Sequence, residues 1–302
     1  MISLIICTYN RDKYIYDTLK YIANNEFSKE KYEIVLINNN STDDTEQECF
    51  RFQKDFPECN FCYFIETNQG LSHARNRGIK EAKGEVLVFL DDDSFVDNNY
   101  LKNLEDNLKK NPDSAAFGGK ITPLFESGVT PTWLSKWTYS WVSAIDMGNS
   151  TRLFTKKQYP IGANMGVTKS CLDQYGIFNV SLGRSKKNLM GGEEKDLFDR
   201  IMKGNEKVYY FPNIEVNHVI PETRTTKEYI IKMGQGIGMS ERLRTLAISK
   251  ARYLKRIFSE GIKWMASIIL CVGYTIFLNP QKGTILITFR WNVTKGLLGV
   301  EN

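Results

Sequence analysis

In the first third of the chain the apolar residues gather into four short runs, Ile2 to Cys7, Tyr32 to Ile37, Phe61 to Ile65 and Val86 to Leu90, each closed by a polar cluster. Runs of this length, rich in branched and aromatic side chains, read as strands buried on both faces. The segments between them change period. Tyr14, Ile15, Leu19 and Ile22 make one stripe of a helix from about Asp12 to Ala23, a second helix capped by Ser41 or Thr42 runs to about Asp55, and a third spans about Leu71 to Ala82. Strand, polar loop and helix repeated in this way predict a parallel sheet joined by right-handed crossovers. Every polar cluster then falls on one sheet edge, where open α/β sheets bind ligands.

From Asn111 to Thr155 the pattern weakens, and Pro112, Gly118, Gly119, Pro123, Gly128 and Pro131 punctuate what read as short segments. Trp133, Trp137, Tyr139 and Trp141 crowd the same stretch and are read as core or interface payload in preference to sugar-stacking faces. Ile214 to His218 alternates like a strand, and from about Lys227 the chain reads as helical. Trp264 to Leu278 is uncharged and mostly apolar, but these fifteen residues fall short of the roughly 20 that span a bilayer. Gly273 and the Asn279-Pro280 stop argue further against a span. With Arg242, Arg244, Lys250, Arg252, Lys255 and Arg256 just upstream, the segment fits a helix lying in a membrane interface. Three regions follow, residues 1–110, 111–226 and 227–302.

At 302 residues, with 42% hydrophobic and 25% charged positions, the chain is long enough for one large α/β domain with an appendage and is not disordered in composition. The net charge of +5 is unevenly placed, with Lys and Arg in excess from about Arg224 onward, so an anionic partner such as lipid headgroups or phosphate is expected there. Six scattered cysteines without a disulfide-framework spacing suit a reducing cytoplasm. The opening residues Met1 to Ile6 carry no positive n-region and no cleavage site, which points away from a secretory signal. No Gly-x-Gly-x-x-Gly follows the first strand and no Walker-type Gly-Lys-Ser occurs, which argues against dinucleotide oxidoreductases and P-loop enzymes.

The fourth run ends on Asp91, Asp92 and Asp93. Adjacent carboxylates repel, and such crowding is tolerable where they face water or a cation neutralises them. A divalent metal is therefore the first hypothesis, a solvated acidic turn the second.

Four segments in order, Ile2 to Arg11, Glu33 to Thr45, Asn68 to Gly78 and Phe89 to Asp93, together resemble the nucleotide-sugar half of family 2 glycosyltransferases of the bacterial surface-polysaccharide type. The resemblance covers about the first 100 residues and implies a GT-A fold: a mostly parallel, Rossmann-like α/β sheet flanked by helices, here with a C-terminal helical, membrane-associating extension. It makes residues 1–110 the donor half and 111–226 the acceptor half. It also implies inverting transfer of a sugar from a nucleoside diphosphate, UDP favoured, to a glycan or lipid-linked acceptor, at the cytoplasmic face of a membrane and without nucleic acid; homo-oligomerisation stays open.

The resemblance also assigns residues. Thr8, Tyr9 and Arg11 would line the nucleoside pocket, Asn38 and Asn39 would meet the base, and Arg75 and Asn76 would support the diphosphate or uracil. This chain has Asn38 where the family usually has Asp, which leaves the nucleotide less determined. Asp91 and Asp93 would hold Mn²⁺ or Mg²⁺, Asp92 would meet the donor ribose, and His218 would complete the metal shell or contact the diphosphate. Asn164, Gly191 and Gly192 fall on the acceptor side, and Glu194 matches the general base, with Glu193 in reserve. Two other readings share parts of this pattern: a metal-dependent nucleotidyltransferase, which would release pyrophosphate, and a nucleotide-sugar or glycan-binding module without catalysis.

Overall fold

The computed structural model describes residues 1–155, 158–183 and 191–300. The chain forms two compact units, one of Met1–Leu124, Ser143–Ser181 and Glu193–Val219, the other of Phe125–Val142, Leu182–Gly192 and Ile220–Asn302.

In the first unit β1 (Ile2–Thr8), α1 (Asp12–Ala23), β2 (Tyr32–Asn38), α2 (Thr45–Asp55), β3 (Phe61–Ile65), α3 (Leu71–Glu81) and β4 (Val86–Asp91) alternate as the periodicity predicts. β1 lies between β2 and β4 and is parallel to both, and β3 is parallel to β2. The apolar runs are near-continuous because both sheet faces are covered. Leu4, Ile6, Ile34, Leu36, Val88 and Leu90 face one core with Ile15, Leu19 and Phe52, while Ile5, Val35, Ile37, Leu87 and Phe89 face another with Ala74, Leu197 and Phe198. The polar residues inside these runs pair with each other: Ser3 Oγ donates to Glu33 Oε1 at 2.6 Å and accepts from Gly84 N at 2.8 Å.

After β4 come β5 (Ser94–Val96), α4 (Tyr100–Lys110), β6 (Ser114–Phe125), β7 (Arg152–Leu153), β8 (Asn164–Thr168), α5 (Lys169–Tyr175), α6 (Glu193–Lys203) and β9 (Lys207–Ile220). The strand order is β3-β2-β1-β4-β8-β6-β9-β5, with β7 on β9. β8 runs antiparallel to β4 and β6, and β5 antiparallel to β9, so the sheet is mixed beyond its parallel N-terminal half. β6 is a twelve-residue strand in a stretch that reads as short segments. Its glycines are close-approach positions and not breaks, since a Cβ on Gly119 would sit 2.0 Å from Ile214 O.

The second helix also starts later than its sequence suggests. α2 begins at Thr45, and neither Ser41 nor Thr42 caps it. Ser41 Oγ accepts from Asn10 N at 3.0 Å and Thr42 N donates to Asn10 Oδ1 at 2.9 Å, so these residues lace two sheet-edge loops together.

The second unit is built on α7 (Lys227–Ile248), α8 (Lys250–Ile276) and α9 (Pro280–Leu298). Its core is Ile230, Met233, Ile285, Phe289 and Val293, with Trp133 and Trp141 packed against it. Trp141 stacks on Phe289 at 4.1 Å, so these two tryptophans are core payload. Buried ion pairs link the helices, Arg256 to Glu241 at 2.7 Å and Arg290 to Glu260 at 2.9 Å, and Arg256 also pairs with Glu260 within α8 at 2.7 Å. α8 has 27 residues, well beyond its fifteen-residue uncharged run, and an 18-residue window of mean hydropathy 1.3 is only 11% buried. By length and composition it can cross a membrane.

Candidate active site

Parallel register puts the ends of the first strands in one row: Thr8 lies opposite Asn38, and Cys7 opposite Asp91. The chain leaves β1 through Tyr9 and through Asn10 at φ 53, then enters α1 at Arg11. Arg11 N donates to Thr45 Oγ1 at 2.8 Å, which fixes the residue beside the acidic triplet. Its guanidinium lies 3.3 Å from Asp92 Oδ1 and 3.7 Å from Asp93 Oδ2. Burial works against the Arg11 charge, but Asp92, Asp93 and Asp91 outweigh it and hold the pKa above its ordinary value. Burial pushes Asp92 up to about 7, opposed by Arg11 and reinforced by Asp93 and Asp91.

Asp93 and His218 are almost fully buried, Asp91 is half-buried, and β5 pairing on β9 sets Ser94 opposite His218. His218 Nε2 lies 3.0 Å from Asp93 Oδ1 and 3.7 Å from Asp91 Oδ2. One ligand atom from each of the three residues falls within 4.8 Å of the others. Both His218 nitrogens lack an aligned hydrogen bond, despite the 3.0 Å approach of Asp93. Buried polar atoms that lie close but misaligned fit ligands aimed at a shared cation better than a hydrogen-bonded pair. Two carboxylates and an imidazole can hold Mn²⁺ or Mg²⁺.

Arg75, on α3, is not on the helix surface. It is 2% exposed, with Nη1 3.0 Å from Glu193 Oε1, Nη2 3.1 Å from Glu194 Oε1, and Nη2 3.9 Å from Asp91 Oδ1. Burial lowers its pKa, but Glu194, Glu193 and Asp91 outweigh this and raise it. Burial also pushes the neighbouring Cys7 thiol up to about 12. Glu194 Oε1 accepts a second bond, from Gly162 N at 3.0 Å.

The structure thus brings Arg11, Arg75, Asp91, Asp92, Asp93, Glu193, Glu194 and His218 into one connected group. Thr8 is buried at the end of β1 and Tyr9 is half-buried in the loop that follows. Other residues expected to touch substrate are engaged elsewhere. Asn38 Nδ2 donates to the Tyr63 hydroxyl at 2.7 Å, and its Oδ1 accepts from Ser41 N at 2.9 Å. Asn39 gathers the β3–α3 loop, donating to Glu66 O at 2.8 Å and Asn68 O at 2.9 Å and accepting from Gly70 N at 2.8 Å. Asn76 exchanges two bonds with the Phe178 backbone, at 2.9 and 3.0 Å. Asn164, expected on the acceptor side, is fully buried; its amide bonds Lys120 O at 3.1 Å, Ile214 O at 2.7 Å and the Tyr100 hydroxyl at 2.7 Å. It ties strands together. Gly191 and Gly192 belong to the other unit, where Gly191 O accepts from Ser240 Oγ and Gly192 takes φ +106. The sequence reading gave no role to Gly162, Thr45 or Phe178, which act through a backbone N–H, a hydroxyl and packing respectively.

Residues 3–176 match the family model described as Glycosyl transferase family 2, more than half of the 302-residue chain. A glucosyl-dolichyl phosphate glucuronosyltransferase of Haloferax volcanii is 24% identical over 266 residues, covering 86% of this chain and 82% of its own length. Among solved structures, mannosyltransferase PcManGT from Pyrobaculum calidifontis in complex with GDP-Man and Mn²⁺ aligns with a TM-score of 0.67 at 17% identity, covering 99% of this chain and 88% of that one. S. aureus TarS 1–349 in complex with UDP-GlcNAc aligns with a TM-score of 0.57 at 16% identity, covering 99% and 92%. At these identities the two structures establish a shared GT-A fold.

Proposed function

The chain belongs to glycosyl transferase family 2, and from that premise we propose that it moves one sugar, with inversion, from a nucleoside diphosphate donor, UDP favoured, to a hydroxyl of a lipid-linked glycan. The observation that carries the reading is the link at one sheet edge between the Asp91, Asp93 and His218 group and Glu194, through Arg75. Residues 1–110 supply the donor half and 111–226 the acceptor half.

Asp91, Asp93 and His218 would hold Mn²⁺ or Mg²⁺. When bound, the ion supplies positive charge to the departing diphosphate. Arg11, with 26% of its side chain exposed beside Asp92, is placed to add charge for the same phosphates. As the acceptor oxygen attacks the anomeric carbon and the bond from that carbon to the diphosphate oxygen breaks, the hydroxyl proton passes to the Glu194 carboxylate. Glu194 suits this role better than Glu193, since 20% of its side chain is exposed against 4%.

The name of the Haloferax volcanii relative supports a lipid-linked acceptor. α8 supports a membrane site on separate grounds. Leu254, Phe258, Ile262, Met265, Ile269, Val272 and Ile276 recur at three- and four-residue spacing, and each is more than half exposed. The opposite stripe carries Arg256 and Glu260 in the buried ion pairs. A helix apolar on its outer face and ion-paired on its inner one is built to lie on a bilayer as part of a helical unit, not to cross it alone. These features support peripheral docking on a membrane, and the proposed reading puts it at the cytoplasmic face.

The test is thermal stabilisation by UDP-, GDP-, dTDP- and CMP-sugars with Mn²⁺, each repeated with EDTA. One nucleotide class should stabilise, by about 2.7 kcal/mol at a hundredfold excess over its Kd, and EDTA should remove the effect. Stabilisation by none of them, or by one that EDTA leaves intact, would overturn the metal-dependent donor site.

A further inference from the structure

Arg75 is buried more deeply than a donor-binding arginine needs to be. Its side chain is 3% exposed, and its fork spans the Oε1 atoms of Glu193 at 3.0 Å and Glu194 at 3.1 Å. Glu193 and Glu194 are consecutive in the first turn of α6, so their side chains leave the helix about 100° apart. One guanidinium bonding both draws them to a common point. Phe178, whose ring lies 5.3 Å from Arg75 Cζ, packs near the fork. Gly162 closes the arrangement: its N–H reaches Glu194 Oε1 at 3.0 Å, and a Cβ there would lie 2.0 Å from Arg75 Nη2 and 2.2 Å from Glu194 Oε1. Asp91 stands by the same nitrogen that bonds Glu194, 3.9 Å from Nη2.

We propose that Arg75 is the positioning residue of the proton-accepting carboxylate, clamping Glu194 with Gly162 and setting its distance from Asp91, and that it does not grip the donor. The inference rests on Glu194 being the base. Oε1 accepts from two N–H donors, so the orientation of the carboxylate is fixed before the acceptor arrives. Lys cannot replace Arg here, because a single ammonium lacks the planar fork that holds two carboxylates at once.

A kinetic cycle separates this role from donor binding. Arg75→Met should leave the Kd for the stabilising nucleotide sugar within about threefold and lower kcat about 100-fold, the scale of a misplaced catalytic group. Glu194→Gln alone should be similarly impaired, and adding Arg75→Met to it should cost little more, since one acts through the other. A donor Kd weakened tenfold or more at undiminished saturating kcat would overturn the proposal. So would full additivity of the two losses. Normal turnover in Glu194→Gln would instead sink the base assignment on which the proposal rests. Should Arg75→Met fail to fold, by circular dichroism, Arg75→Lys and Gly162→Ala disturb the clamp while keeping the buried positive charge. Each should lower kcat at unchanged donor Kd, and normal kcat in both would overturn the clamp.

Discussion

In the proposed reaction, Asp93 and Glu194 divide the chemistry between charge and proton. Asp93 is 1% exposed and faces His218 Nε2 at 3.0 Å, so removing its carboxylate takes away the most buried acid of the proposed metal group. Asp93→Ala should abolish stabilisation by Mn²⁺ plus nucleotide sugar while the fold is kept; undiminished Mn²⁺-dependent stabilisation would remove Asp93 from the metal site. Glu194→Gln should keep that stabilisation and lose about 10²- to 10⁴-fold in turnover, because the amide cannot take the proton. These residues were legible in the sequence because their types are unusual in place: three adjacent acids at a strand end, and two acids behind two glycines. Arg75 was visible as a candidate but not in its role, since its partner Glu193 lies 118 positions away and only the fold joins them. The backbone partners of Asn164 and Asn76 were hidden for the same reason. A sequence shows an amide's capacity to bond but not which backbone groups use it up.

The elements that hold these residues were the easiest to read. β1, β2 and β4 are buried on both faces, so their apolar runs carry no competing polar signal, and their bounds follow from composition. β6 was obscured because its glycines answer to a neighbouring strand and not to the local chain. The α2 start was obscured because Ser41 and Thr42 bond another loop in place of their own helix. α8 reads in two parts, and only the structure puts Arg256 and Glu260 on an inner stripe and the apolar residues from Leu254 to Ile276 on the outer one. Replacing Phe258, Met265 and Ile269 with Ser should therefore leave the fold unchanged and reduce co-sedimentation with anionic vesicles at least tenfold, since these side chains are 73%, 61% and 71% exposed and contribute little to the core. Equal sedimentation of the triple variant would place the membrane contact elsewhere.

Taken whole, the molecule joins a mixed α/β unit whose sheet edge gathers charge to a helical unit whose surface is unusually apolar. The first carries the family's reaction, and the second is where the proposed membrane contact lies. Family membership fixes glycosyl transfer, while the sugar is chosen by shape and single hydrogen bonds that no motif encodes. The decisive measurement is product analysis with the nucleotide sugar that stabilises the protein, Mn²⁺, and a lipid-linked oligosaccharide presented in anionic vesicles. Release of one nucleoside diphosphate for each sugar transferred, with the anomeric configuration inverted and both lost in EDTA, is the expected result. Release of pyrophosphate, a retained configuration, or transfer undiminished by EDTA would contradict it.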